Sequence, residues 1–176
     1  MELLIQRKLN TKMPKILDNW TREEWMRDDV VKIGFKRLHT DAKVPARATS
    51  GSAGFDCYLP ETYPPISTGE IRIVKLGFAL EIPDGCCVRI VPRSGLASKG
   101  LLVANSPALI DADFKQEIGV ILWSVGGIFP LTKGDRICQM TIEKVPNVEF
   151  EPVDELSESE RTGGFGSTKG HEAVGG

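Results

Sequence analysis

The chain predicts an all-β fold, a sandwich, jelly roll or barrel, and three observations carry that reading. Short runs rich in β-branched and aromatic residues recur at regular spacing from residue 30 onward. Glycine- and proline-bearing turn signals separate most of them, and helical periodicity is scarce. The strand candidates, in order, are 30–38, 53–59, 71–76, 78–82, 86–91, 101–104, 118–125, 136–145 and 148–153. The first of these, V-V-K-I-G-F-K-R-L, alternates as a half-buried strand does. Pro64-Pro65, Pro83-Asp84-Gly85, Gly126-Gly127, Lys133-Gly134-Asp135 and Pro146-Asn147 mark turns. Residues 93–100 leave room for a short helix or turn and little more.

The two ends have a different texture. Residues 1–29 form an extension of unknown role, in which T-R-E-E at 21–24 has capping-box spacing for a short helix. The β domain is expected over 30–154, followed by an arm at 155–176 that turns polar and then glycine-rich. Such an arm buries too little apolar surface to fold alone. Its one aromatic, Phe165, sits between glycines and is followed by Ser167 and Thr168. A flexible arm of that composition could close over a ring and a phosphate.

At 176 residues the chain suits one domain with a core plus extensions. A formal charge of −2 argues against a nucleic-acid-binding surface, although Lys32, Lys36 and Arg37 could meet a phosphate locally. No apolar run approaches the ~20 residues of a membrane span. The N-terminal 17 residues lack the apolar core and cleavage site of a signal peptide. An intracellular, cytoplasmic protein is expected, in the host cytoplasm if the chain is viral. Cys57, Cys86, Cys87 and Cys138 form no C-x-x-C pair, and His39 and His171 are remote from them. Reduced thiols filling a core are expected, not zinc.

Residues 103–123 draw most attention. Two apolar runs flank Asp111-Ala112-Asp113, and Asn105-Ser106-Pro107 bends the first run. A hairpin here would hold a carboxylate on rigid backbone and leave N–H and C=O groups free to read a flat ligand. Taken alone, the window also reads as a turn whose Asp side chains cap their own backbone.

Four more short stretches accompany this one. In order the five are A-G-F-D at 53–56, P-R-S-G-L-A at 92–97, residues 108–117, G-D-R-I-C-Q-M at 134–140, and residues 161–168. Arginine, serine and exposed backbone N–H groups in the second make a phosphate cradle. In the fourth, Asp135 and Arg136 are expected in structural ion pairs. Read together and in order, the five resemble the motifs of the trimeric deoxyuridine triphosphatases, over about residues 30–170.

The resemblance implies a jelly-roll-like subunit and a homotrimer with shared active sites, each closed by one chain's C-terminal arm. It implies hydrolysis of dUTP to dUMP and pyrophosphate with Mg²⁺ on the triphosphate. That reaction limits uracil incorporation into DNA and supplies dUMP for thymidylate synthesis. Asp111 matches the carboxylate that deprotonates the attacking water. Asn105, with backbone groups of Leu109, Ile110 and Gly119, matches the uracil pocket. Phe114 stands where the family usually has tyrosine, and its ring would pack under the sugar. Arg93, Ser94 and Gly95 match the phosphate holders, with Gln139 assisting from a neighbouring wall. Asp56 matches the residue that meets the metal's water shell. On the arm, Phe165 would stack on uracil, with Gly166 beside it, and Ser167 and Thr168 would reach the outer phosphates. Arg161 lies four residues before Phe165, where the family arginine usually lies five before. Ala108 and Gln116 replace residues that are commonly glycine.

Two other readings compete. A dCTP deaminase shares the fold but predicts a deaminating glutamate in a different motif and no glycine-flanked phenylalanine arm. A nucleotide-switched regulatory protein on the same scaffold would use residues 1–29 to bind a protein partner.

Overall fold

A computed structural model describes residues 30–157. Eleven strands and one helical turn follow each other: β1 (Gly34–Arg37), β2 (Phe55–Tyr58), β3 (Tyr63–Ile66), β4 (Ile71–Lys75), β5 (Phe78–Glu81), β6 (Cys86–Pro92), α1 (Ser94–Ala97), β7 (Leu101–Val103), β8 (Ala108–Ile110), β9 (Gly119–Ser124), β10 (Phe129–Leu131) and β11 (Arg136–Lys144). The result is all-β and jelly-roll-like. A four-stranded sheet runs β2-β11-β6-β8 and a three-stranded sheet runs β4-β9-β7, with two-stranded sheets β1-β5 and β10-β3. Every pairing is antiparallel.

Alternation decides which side chains go inward. On β9, Val120, Leu122 and Ser124 are buried while Gly119, Ile121 and Trp123 are less so. Val88 and Ile90 on β6, Val74 on β4 and Ile66 on β3 join them in one core cluster. All four cysteines are free and buried within the fold. Cys57 and Cys138 face each other across the β2–β11 register. A hydrogen bond with Cys138, then burial, holds the Cys57 thiol well above its ordinary value of 9.0.

Four expectations change. Tyr63-Pro64-Pro65-Ile66 is strand β3, not a turn, because among the described residues it pairs with β10 alone and its prolines need no second partner. The stretch 148–153 forms no strand; residues 147–157 carry no helix or strand and belong to a separate unit from the body ending at Pro146. The run 101–110 does not fold back as one arm of a hairpin. β7 pairs β9, but β8 leaves that pair and joins β6 in the other sheet. Finally, the 30–38 run is a strand only from Gly34.

Candidate functional site

The second of the five motif stretches begins where β6 ends. Arg93 has extended backbone (φ −83°, ψ 131°), and its carbonyl accepts the N–H groups of Leu96 and Ala97 at 2.9 Å each, which starts α1. Ser94 and Gly95 therefore occupy a first helical turn, where N–H groups lack intrahelical acceptors. Both are exposed.

Beside this turn lies Asp56, only 2% exposed on β2. Its Oδ2 accepts Arg136 Nη1 at 2.9 Å. Its Oδ1 accepts Gln139 Nε2 at 2.9 Å and pairs with Arg93 Nε at 3.2 Å. Arg93 Nη1 also donates to the Arg136 carbonyl at 2.8 Å. Burial alone would raise the Asp56 pKa; the hydrogen bonds from Gln139 and Arg136 and the charges of Arg93 and Arg136 outweigh it and hold the carboxyl below its usual 3.8. The register explains the gathering, since Gln139 on β11 lies directly opposite Asp56. A cleft of about 440 Å³ adjoins this cluster and is lined by Arg93, Leu96, Lys99, Phe129 and Arg136.

The other group of residues surrounds β8. This strand is the edge of its sheet, paired with β6 alone among the described residues. An edge strand presents unpaired N–H and C=O groups. Leu109 is largely exposed and Ile110 half-buried. Asn105 lies in the turn after β7, and Gly119 opens β9 opposite Lys75. Asp111 follows β8 directly. It is exposed, and its side chain has no hydrogen-bond or ion-pair partner among the described residues. Its carbonyl accepts the Phe114 N–H at 3.1 Å, which closes a turn. Phe114 keeps 38% of its surface exposed. Asp113, expected to be satisfied locally, likewise has no side-chain partner among the described residues.

The loop from Asp111 to β9 is tied down by residues that pattern reading missed. Lys115 Nζ pairs with Glu81 on β5 at 2.8 Å and donates to the Ala112 carbonyl at 2.5 Å. Glu117 Oε1 accepts the Gly77 N–H at 3.1 Å. Their partners lie some thirty to forty positions upstream, so no local signal marks them. In the fourth motif Arg136 does ion-pair, whereas Asp135 instead accepts the Thr132 N–H at 2.8 Å and caps the turn.

One chain does not bring the two groups together. Val88 pairs with Ile110 and Ile90 with Ala108, so Asp111 leaves at the Cys86 end of β6. Arg93 leaves at the Pro92 end. The length of β6 separates them, about 20 Å at the usual rise along a strand. Arg161, Phe165, Gly166, Ser167, Thr168 and residues 1–29 lie outside the described residues.

Nor do these side chains fit a resident metal. Both Asp56 oxygens are occupied by N–H donors, two of them on cations. Among the described residues no group of His, Cys, Asp and Glu could hold a metal ion.

The family model of the dUTPases matches residues 40–169. The chain belongs to the dUTPase family. It is 44% identical over 147 residues to the deoxyuridine 5'-triphosphate nucleotidohydrolase of Thermobifida fusca, covering 81% of this chain and 82% of that one. The enzyme of the same name from Hydrogenobaculum sp. is 43% identical over 141 residues, covering 78% and 98%. Among solved structures, the dUTPase of Staphylococcus bacteriophage 80alpha with dUPNHPP matches at TM-score 0.68 and 27% identity, covering 78% and 98%. The dUTPase match spans all five motif stretches: it begins before Ala53 and ends after Thr168.

Proposed function

We propose that this chain hydrolyses dUTP to dUMP and pyrophosphate, taking the nucleotide with Mg²⁺ already on its triphosphate. The observation that carries the reading is an edge strand, β8, followed at once by an exposed carboxylate, Asp111, that has no partner among the described residues. The free edge at Leu109 and Ile110 suits the donor and acceptor pattern of a pyrimidine edge. Asn105 adds an amide that can both donate and accept. Phe114 supplies a flat face for the deoxyribose. Asp111 takes a proton from water as the water oxygen attacks the α-phosphorus. The bond from that phosphorus to the α,β-bridging oxygen breaks, and pyrophosphate leaves. Arg93, with the Ser94 and Gly95 N–H groups, meets the charge that accumulates on the leaving group. Phe165, Gly166, Ser167 and Thr168, with Arg161, close the site from the arm at 155–176.

The site is built between chains of a homotrimer. The separation of Arg93 from Asp111 along β6 supports this, since the two residues leave opposite ends of that strand. The outward side of β4 and β9 offers a surface for such contact: Ile71 and Ile73 are 61% and 60% exposed beside Trp123. Four unpaired thiols suit a cytoplasmic setting.

The direct test is pyrophosphate release from dUTP, dCTP, dTTP and UTP in parallel with magnesium present. Release from dUTP alone is expected. Deamination of dCTP, or no turnover of dUTP, would sink the reading.

A further inference from the structure

The Asp56 cluster deepens the dUTP reading and rests on it. One buried carboxylate faces two guanidinium groups, so the cluster keeps a net positive charge. An approaching cation would meet that charge, and three N–H donors leave the carboxylate about one of its roughly four acceptor sites, on a side chain only 2% exposed. The same contacts do something else well. Asp56 takes the Arg93 Nε–H, and the Arg136 carbonyl takes an Nη1–H, so two edges of a planar fork are fixed. The donors on Nη2 have no partner among the described residues. Gln139 is fixed by the same carboxylate from the opposite strand. A Cβ on Gly54 would stand 3.3 Å from Gln139 Cβ and 3.4 Å from its Cδ, so a bare glycine lets that amide lie where it does. The Asp56 backbone is itself pinned: its N–H donates to the Ala46 carbonyl at 2.8 Å, and its carbonyl accepts the Ala46 N–H at 3.3 Å.

We propose that Asp56 is a positioning residue, acting on the reaction through Arg93 and Gln139, and that it does not serve the water shell of a metal. Its removal frees a fork that must be set before the triphosphate arrives. Charge-assisted hydrogen bonds of this kind are worth enough that affinity should fall about tenfold or more.

The test measures binding of the imido analogue dUPNHPP by calorimetry, once in EDTA and once in Mg²⁺, with magnesium titrations of dUTP turnover alongside. Asp56→Asn should weaken binding in EDTA and Mg²⁺ alike, raise KM, and leave the magnesium midpoint where wild type has it. Unchanged affinity in EDTA, with a loss only when magnesium is added, would overturn the proposal. Arg136→Gln provides a second route should Asp56→Asn melt early. A carboxylate serving the metal would gain magnesium affinity on losing that cation, so a lowered midpoint refutes positioning; an unchanged midpoint supports it. Wild-type protein that binds no dUPNHPP in either buffer would sink the dUTP reading, and this proposal with it.

Discussion

Asp111 and Asp56 are both carboxylates, and their surroundings are opposite. Asp111 is exposed and its carboxylate has no partner among the described residues; Asp56 is buried and takes three N–H donors. Asp111→Asn should therefore bind dUTP as wild type does while turnover falls by about 10²–10⁴, the usual worth of a positioned base. Pyrophosphate release and equilibrium binding, measured on one preparation, check this. Wild-type-like turnover would remove the residue from the chemistry. Asp56 predicts a pH effect on stability instead. Its folded pKa lies below the ordinary 3.8, so its ionised form stabilises the fold above that pH. That contribution is lost as pH falls from about 4 through the folded value, because the unfolded chain then binds the proton more readily. Urea melts across pH 2–6 should show a steeper acid loss in wild type than in Asp56→Asn. The sequence shows that Asp56 and Gln139 stand in motifs. It does not show that Arg136, eighty positions away, closes the carboxylate's other oxygen. That contact exists only once the β2–β11 register is set.

At the scale of elements, periodicity reveals strands that bury one face and hides those whose role is local. Strands β4, β5, β6, β9 and β11 were legible because inward Val, Ile and Leu alternate or run together. β3 was not, because its two prolines are a turn signal everywhere except on a sheet with one partner. The course of β8 was illegible for another reason. Three residues carry too little pattern to say which neighbour they join, and β6 wins through the register of Val88, Arg89 and Ile90. The turn between β4 and β5 holds the loop beyond Asp111. Gly77 has φ +74°, and a Cβ there would lie 2.7 Å from His39 Cβ and 3.0 Å from Ala42 Cβ. Its N–H also anchors Glu117. Gly77→Ala should cost about 2 kcal/mol or more, combining left-handed backbone strain with the clash. Thermal melting reads the loss, and an unshifted midpoint would show that the turn relaxes freely.

For the whole molecule, the two ends of β6 make a testable demand. Arg93→Gln and Asp111→Asn chains should each be inactive alone. Unfolded together and refolded as mixed trimers, they should regain activity in about a quarter of their sites, since each site draws one residue from each of two neighbours at random. No recovery, from mixtures shown to exchange subunits, would place the whole site within one copy. A trimer is implied only by the five-motif resemblance; nothing in composition or periodicity counts subunits. What one chain shows is Arg93 and Asp111 a strand's length apart; on the proposed reading, the hook for phosphate and the hook for water then come from different copies. A catalyst built that way has a turnover per molecule that depends on how crowded it is. Diluted past the point where its subunits let go of each other, it should fall silent while every domain stays folded.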